Sequence, residues 1–305
     1  MDFHKIAVLN GHFLPLREVR VDPVGTGVHS GWGVYTTVRI YGGHPFNVAA
    51  HLRRLERDAG RVGIALPEAF GNLANDLADL ARRNGVQDGT GRISVLGAPM
   101  GRFSAGGPPG SDLLVLTRDL QPRPPGESLC VSAHRFHSLG PLANTKTISN
   151  LPHIQCRREA LLRQFDDALL LNESDHVVEV ATGNLFWVRD GKLYTPSPRT
   201  GCIEGSTREL LIEEARHQGI EVLEGCFPLA DLHPAREAFV SSVSREISPV
   251  VRLEDHFFPE VPGPISAALQ EGFHRRLEAW RTTLPRAEAE RAEAAAAQDE
   301  PQEGP

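Results

Sequence analysis

The chain has 305 residues, 40% of them hydrophobic and 23% charged, an ordinary globular composition with length enough for two domains. No apolar run reaches the roughly 18 residues of a membrane span. Met1-Asp2-Phe3-His4-Lys5 lacks the basic-then-apolar order of a secretory leader, so the expected location is the cytoplasm, with no membrane partner. Of the formal net charge of −7, −4 falls on residues 286–305, where six acids stand against Arg286 and Arg291. No basic field remains to hold nucleic acid.

Lys5 to Leu9 reads as a strand, and Asn10-Gly11 is a type I′ hairpin signal leading into His12 to Pro15. A Gly-rich stretch, Gly25 to Gly33, precedes a β-rich run from Val34 to Tyr41, which Gly42-Gly43 turns back. From Val48 the period becomes helical, with Leu52, Leu55, Ala59 and Val62 on one stripe, and a second helix is predicted over Pro67 to Asn84. Strands at Arg92 to Leu96 and Asp112 to Thr117 flank a Gly/Pro-rich loop, Gly97 to Gly110. Together these make a small α+β domain, residues 1–118.

Pro122, Pro124 and Pro125 mark residues 119–126 as a linker. A larger, β-rich α/β domain is expected over residues 127–283. Its strands fall at Leu129 to Ala133, Asp167 to Asn172, Val177 to Val180, Asn184 to Val188, Glu221 to Cys226 and Ala238 to Ser242. Asp190-Gly191 closes a hairpin with Leu193-Tyr194. Helices are predicted near His153 to Phe165, from a Ser206-x-x-Glu209 capping box to Gly219, and from Pro264 to Trp280. Residues 284–305 lack apolar spacing and are expected to form a disordered acidic tail. Cys130, Cys156, Cys202 and Cys226 stand far apart without C-x-x-C spacing, so reduced thiols are expected, with no disulfide framework and no metal site.

Only three of the 32 basic residues are lysines: Lys5, Lys146 and Lys192. Lys5 begins a strand and Lys192 sits in a hairpin turn, both ordinary surface positions. Lys146 lies in a polar loop, Gly140 to Asn150, at the centre of the chain. A free lysine amine, with a pKa near 10.4, is neutral only about once in 2,500 at pH 7. A nucleophilic role therefore requires desolvation or a cationic neighbour. Glu179, between Val178 and Val180, is either a carboxylate on the solvent face of a half-buried strand or one aimed at the ring nitrogen of a cofactor. Gly205-Ser206-Thr207 offers free N–H groups and two hydroxyls at a helix start, which is an anion site as well as a common cap. Arg54, beside an apolar helix stripe, reads by itself as solvated charge.

Four stretches together resemble the class IV aminotransferase family, the fold type IV enzymes that use pyridoxal 5′-phosphate. They are His51-Leu52-Arg53-Arg54-Leu55, Thr145-Lys146-Thr147, Glu179-x4-Asn184-Leu185-Phe186 with Tyr194-Thr195-Pro196, and Gly205-Ser206-Thr207-Arg208. Order and spacing match over residues 5–275. The resemblance implies a two-domain α+β enzyme that forms a homodimer. It also implies that Lys146 forms a Schiff base with the cofactor and shuttles a proton, that Glu179 meets the pyridine nitrogen, and that Arg54 binds the phosphate with Gly205, Ser206 and Thr207. Asn184 falls in the same cofactor-binding set.

The chain departs from the pattern in places. Branched-chain aminotransferases carry a glutamate where Thr36 stands and a tyrosine where Leu151 stands. The family's further phosphate-binding hydroxyl falls at Val243, which leaves its neighbours Ser242 and Ser244 as candidates. Tyr35-Thr36-Thr37-Val38-Arg39, Gly101-Arg102-Phe103-Ser104 and Leu151 are more similar to 4-amino-4-deoxychorismate lyase. Thr36, Arg92 and Arg102 are therefore the expected substrate contacts, the two arginines for a carboxylate. The first expectation is transfer of an amino group between an amino acid or amine and a 2-oxo acid. The second is elimination, with release of pyruvate, by the same lysine and cofactor. A silent binding protein is the third, and the joint presence of Lys146, Glu179 and Arg54 weighs against it.

Overall fold

The computed structural model describes residues 3–23, 25–97, 110–122 and 125–284. Among these, the first part of the chain builds a six-stranded sheet from β1 (Ile6–Leu9), β2 (His12–Pro15), β3 (Gly33–Tyr41), β4 (His44–Pro45), β5 (Asp88–Gly97) and β6 (Ser111–Asp119). The order is β2-β1-β6-β5-β3-β4, and every pair is antiparallel. The helices of this part are α1 (Thr26–His29), α2 (Val48–Arg61) and α3 (Leu73–Arg83).

Successive side chains on a strand face opposite ways. Val34, Val38, Ile93, Val95, Leu113 and Val115 share the face that packs on Leu55 and Ala59 of α2 and on Leu73, Leu77 and Leu80 of α3. The other face carries Tyr35 and Thr37, with Arg92 opposite Thr37 and Arg118 opposite Thr90.

From Glu127 onward the described residues form a nine-stranded sheet. Its strands are β7 (Glu127–Phe136), β8 (Asp167–Asn172), β9 (Val177–Val180), β10 (Asn184–Arg189), β11 (Lys192–Pro196), β12 (Val222–Gly225), β13 (Glu237–Ser242), β14 (Glu246–Leu253) and β15 (His256–Phe257). The order is β12-β11-β10-β13-β14-β7-β8-β9, with β15 on β14; the β11–β12, β14–β7 and β7–β8 pairs are parallel. α4 (Leu151–Leu162) packs on β7 and β8 through Cys156 and Ala160. α5 (Ser206–His217) and α6 (Pro264–Arg281) cover Phe186, Val188, Leu193 and Phe239 with Leu211, Ile212, Leu269 and Phe273. All four cysteines are free thiols. No helix among the described residues is long and apolar enough to cross a membrane.

Both predicted hairpins turn on the left-handed residue pairs that a type I′ turn requires, with φ of 51° and 81° at Asn10-Gly11 and 53° and 71° at Asp190-Gly191. Several expectations are corrected. The helix predicted over Pro67 to Asn84 is a 3-10 turn, Glu68–Asn72, followed by α3. β14 was hidden by Pro249, which lies inside the strand opposite Phe239. The Ser206-x-x-Glu209 box does not form: the N-cap of α5 is Gly205, without a side-chain bond, and Ser206 is the first helical residue. Arg102 and residues 285–305 lie outside the described residues.

Candidate active site

Lys146 lies in an extended segment bonded to the first sheet. Its N–H donates to Asp58 Oδ2 at 3.1 Å, and its carbonyl accepts from the Tyr35 N–H at 2.9 Å. Thr147 bridges Val34, and the Ile148 N–H donates to the Gly33 carbonyl at 2.9 Å. Asp58, on α2, is buried and flanked by Arg57 and Arg61 at 3.3 and 3.7 Å. On the other side, Asn144 Nδ2 donates to the carbonyls of Pro198 and Cys202 at 2.7 and 2.8 Å, tying the same loop to the segment that follows β11. The Lys146 amine stands 4.8 Å from the centroid of the Tyr35 ring.

The amine opens on a cavity of about 250 Å³, also lined by Tyr35, Arg54, Arg92, Glu179 and Asn184. Burial alone would raise the Tyr35 phenol, but Lys146, Arg92 and Arg54 outweigh it and hold the phenol below its ordinary value. Arg92 lies over the Tyr35 ring, 3.8 Å from its centroid.

All four residues of β9 are buried, so Glu179 is not on a solvent face. Its Oε2 accepts from Asn184 Nδ2 and from the Ile203 N–H, both at 3.2 Å, while Oε1 lies 3.5 Å from His153 Nε2. Asn184 is fixed in turn by the Ile203 carbonyl at 2.7 Å. A Cβ at residue 205 would fall 2.3 Å from Asn184 Oδ1, so only glycine fits at this helix start.

Arg54, Gly205, Ser206, Thr207, Ser241, Ser242 and Ser244 line the same cavity. Arg54 Nε and the hydroxyls of Ser241 and Ser242 are buried without a hydrogen-bond partner. Leaving such a group unsatisfied costs roughly 1–3 kcal/mol. Together with the free N–H groups at the start of α5, they make an anion cradle. The Ser242–Ser244 loop is held from behind by the buried Arg245, which contacts Glu127 at 2.9 Å, Asp167 at 3.1 Å and the Thr182 hydroxyl.

Arg54 Nη2 donates to Thr36 Oγ1 at 2.6 Å, which meets His51 Nδ1 at 2.8 Å; His51 Nε2 meets Ser206 Oγ at 3.2 Å. Thr36 was expected to contact substrate. Strand alternation turns it to the helix face, behind Arg54, while Tyr35 and Thr37 face the cavity. His51 was not singled out, although its three-residue spacing from Arg54 places both on one side of α2. Burial, with Arg54 and Lys146 nearby, lowers the His51 imidazole to about 3, so it is neutral at working pH. With Thr36 accepting from Arg54 and donating to Nδ1, the ring carries its proton on Nε2 and leaves the Ser206 proton for a ligand.

This burial has a measurable cost in acid. The unfolded imidazole titrates near 6.5, so the unfolded chain takes up the proton first as pH falls. The stability His51 contributes is complete above about pH 6.5 and is lost progressively toward pH 3. The expected slope is up to about 1.4 kcal/mol per pH unit. Urea unfolding of His51→Gln at several pH values is expected to show a shallower decline than the parent. An unchanged slope would place the acid sensitivity elsewhere.

Arg118, His153 and Arg157 also line the cavity and were not anticipated. A second cavity, of about 530 Å³, shares Lys146, Asn150, His153, Glu179 and Ile203 with the first.

A family model described as amino-transferase class IV matches residues 33–253. The chain is 27% identical over 290 residues to the aminodeoxychorismate lyase of Bacillus subtilis, covering 90% of this chain and 99% of that one. It is 27% identical over 278 residues to a D-alanine aminotransferase of Listeria monocytogenes, covering 87% and 94%. Its fold is similar to that of a branched-chain aminotransferase from Thermoproteus uzoniensis with norvaline, with a TM-score of 0.84, 26% identity and coverage of 89% and 94%. The family match begins at the first residue of β3 and ends at the last of β14, leaving no wall of the Lys146 cavity outside it, and the chain belongs to the class IV aminotransferase family.

Proposed function

We propose that this chain transfers an amino group between an amino acid or amine and a 2-oxo acid, using pyridoxal 5′-phosphate held in the cavity beside Lys146. The observation that carries this reading is one cavity holding the Lys146 amine, the buried Glu179 carboxylate and a cradle of unpartnered donors. Those groups fit a phosphorylated pyridine: the cradle answers a phosphate dianion and the carboxylate a protonated ring nitrogen. When bound, the cofactor supplies a ring that withdraws electrons from the substrate's Cα.

This chain's residues provide the rest. Lys146 supplies the amine that anchors the cofactor covalently and moves the proton at Cα. Two N–H donors fix Glu179 so that its charge stays aimed at the ring nitrogen. Arg54, Ser206, Thr207, Ser242 and Ser244 hold the phosphate, and Thr36 and His51 keep Arg54 and Ser206 in register. Arg92, propped on Tyr35, stands ready for a substrate carboxylate.

Arg54→Ala removes a charge-assisted contact and is expected to weaken cofactor affinity about ten- to a hundredfold, measured by absorbance titration of apoprotein. Unchanged affinity would show that the phosphate is held without Arg54.

Elimination with release of pyruvate is the second reading, favoured by the lyase-like residues and by the B. subtilis relative. Pyruvate formed from aminodeoxychorismate without any added 2-oxo acid would establish it; turnover strictly dependent on a 2-oxo acid supports transfer.

The same reading takes residues 1–118 and 127–283 as the two domains and the active form as a homodimer. Leu139, Leu142, Leu151 and Ile154, exposed beside the second cavity, are a surface that a second copy would cover. Light scattering is expected to give about twice the chain mass of 33.3 kDa.

A further inference from the structure

Two turns of the second sheet come together at the Lys146 cavity. Residues 181–183 join β9 to β10, with Glu179 two positions before them and Asn184 directly after. Residues 243–245 join β13 to β14 and follow Ser242. Thr182, Gly183, Ser242, Val243 and Ser244 line the cavity, while Arg245 stands outside its lining. Backbone meets backbone here: a Cβ at residue 183 would fall 2.5 Å from the Ser241 carbonyl oxygen.

The Arg245 side chain, 4% exposed, runs behind both turns. Its Nη2 donates to the Thr182 hydroxyl and to Asp167 Oδ2 at 3.1 Å, and its Nε lies 2.9 Å from Glu127 Oε1. Thr182 Oγ1 donates to the same Asp167 Oδ2 at 2.5 Å, and Asp167 Oδ1 accepts from the Ala168 N–H at 2.9 Å. A guanidinium carried by one turn thus grips the hydroxyl of the other, and both are locked to the starts of β7 and β8. Stability alone does not call for three buried charges, because apolar residues of similar volume are often as stable in such a place. What the guanidinium supplies is a rigid fork and a cation. Without it, Glu127 and Asp167 would set two buried carboxylates behind the turn that receives a phosphate dianion.

We infer that Arg245 is a positioning residue for the cofactor phosphate. It ties the Ser242–Ser244 turn to the Thr182 turn, so that the phosphate cradle keeps its distance from the Glu179 carboxylate, and it offsets the charge of Glu127 and Asp167 behind the cradle. This role rests on the proposed function, which sets a phosphate against Ser242 and Ser244. Lysine would keep a charge, but its single ammonium cannot span Glu127, Asp167 and Thr182 as the planar fork does.

The test titrates apoprotein of the full chain with pyridoxal 5′-phosphate and with pyridoxal, which differ in the phosphate, and follows absorbance. Arg245→Lys and Thr182→Val are each expected to weaken the phosphorylated ligand about tenfold and to leave pyridoxal within about twofold. Made together, they are expected to cost no more than the larger alone, because both break one link. A combined loss near the product of the two, roughly a hundredfold, overturns the link between the turns. Equal weakening of both ligands would make Arg245 a general prop of the fold and overturns its phosphate role, as does unchanged affinity. Thr182→Val keeps the shape of the side chain, so it decides the matter should Arg245→Lys not fold. Failure of the parent protein to take up pyridoxal 5′-phosphate at all is a different result: it removes the proposed function, and this role with it.

Discussion

Lys146→Ala is expected to fold, to bind the cofactor through the phosphate cradle, and to turn over at least about a thousandfold more slowly than the parent. Folding should survive because the segment is held by backbone bonds, from the Lys146 N–H to Asp58 and from the Tyr35 N–H to the Lys146 carbonyl, which alanine keeps. Turnover should collapse because covalent attachment and the proton shuttle leave together. Neither other lysine can substitute. Lys192 pairs with Glu221 at 2.9 Å, which holds its amine above the ordinary lysine range, and Lys5 lies outside the cavity lining. Borohydride treatment of loaded parent protein, followed by peptide mapping, is expected to put the adduct on Lys146. An adduct on Lys5 or Lys192 would overturn the site.

Glu179→Gln is expected to cost about a hundred- to a thousandfold in kcat with little change in melting temperature. The glutamine oxygen can still accept from Asn184 and Ile203, so the local fold is retained. What is lost is the negative charge that favours a protonated ring nitrogen. Glu179→Asp keeps the charge but shortens the reach, and should fall between parent and glutamine. Steady-state kinetics with the cofactor absorbance followed against pH checks both. A glutamine variant with parental kcat would leave Glu179 only the task of clasping Asn184 and Ile203.

Much of this site was legible because its chemistry is scarce in the chain. With three lysines to choose from, a polar central loop and the surrounding motif singled out Lys146, and β9 was bounded correctly by its apolar residues. What remained hidden depended on which way side chains face. Tyr35-Thr36-Thr37 has no polar/apolar alternation, so nothing local tells that Thr36 turns toward α2 and its neighbours toward the cavity. Arg118 sits at the edge of a proline-rich stretch that reads as linker, yet β6 continues through Asp119. Arg157 lies on α4, whose exposed Leu151, Ile154 and Leu161 blur any apolar stripe and hide the side that meets the cavity. Ser206 did look like a helix cap; only the approach of His51 from α2 shows that its hydroxyl is used elsewhere.

The backbone bonds of Lys146 also decide how this protein would fail on heating. Its N–H and carbonyl are fastened to Asp58 and Tyr35, whereas Glu179 and Asn184 ride on β9 and β10. The gap between amine and carboxylate is thus a joint between two sheets, each with an apolar core and the two sharing a third, in which Tyr41 and Phe46 pack with Phe186, Phe273 and Leu277. A little slack in that joint misaligns the reacting groups while both cores stay packed. Warming would then erode activity before it erodes ellipticity, and cooling would restore it, because what is lost first is alignment between two sound halves.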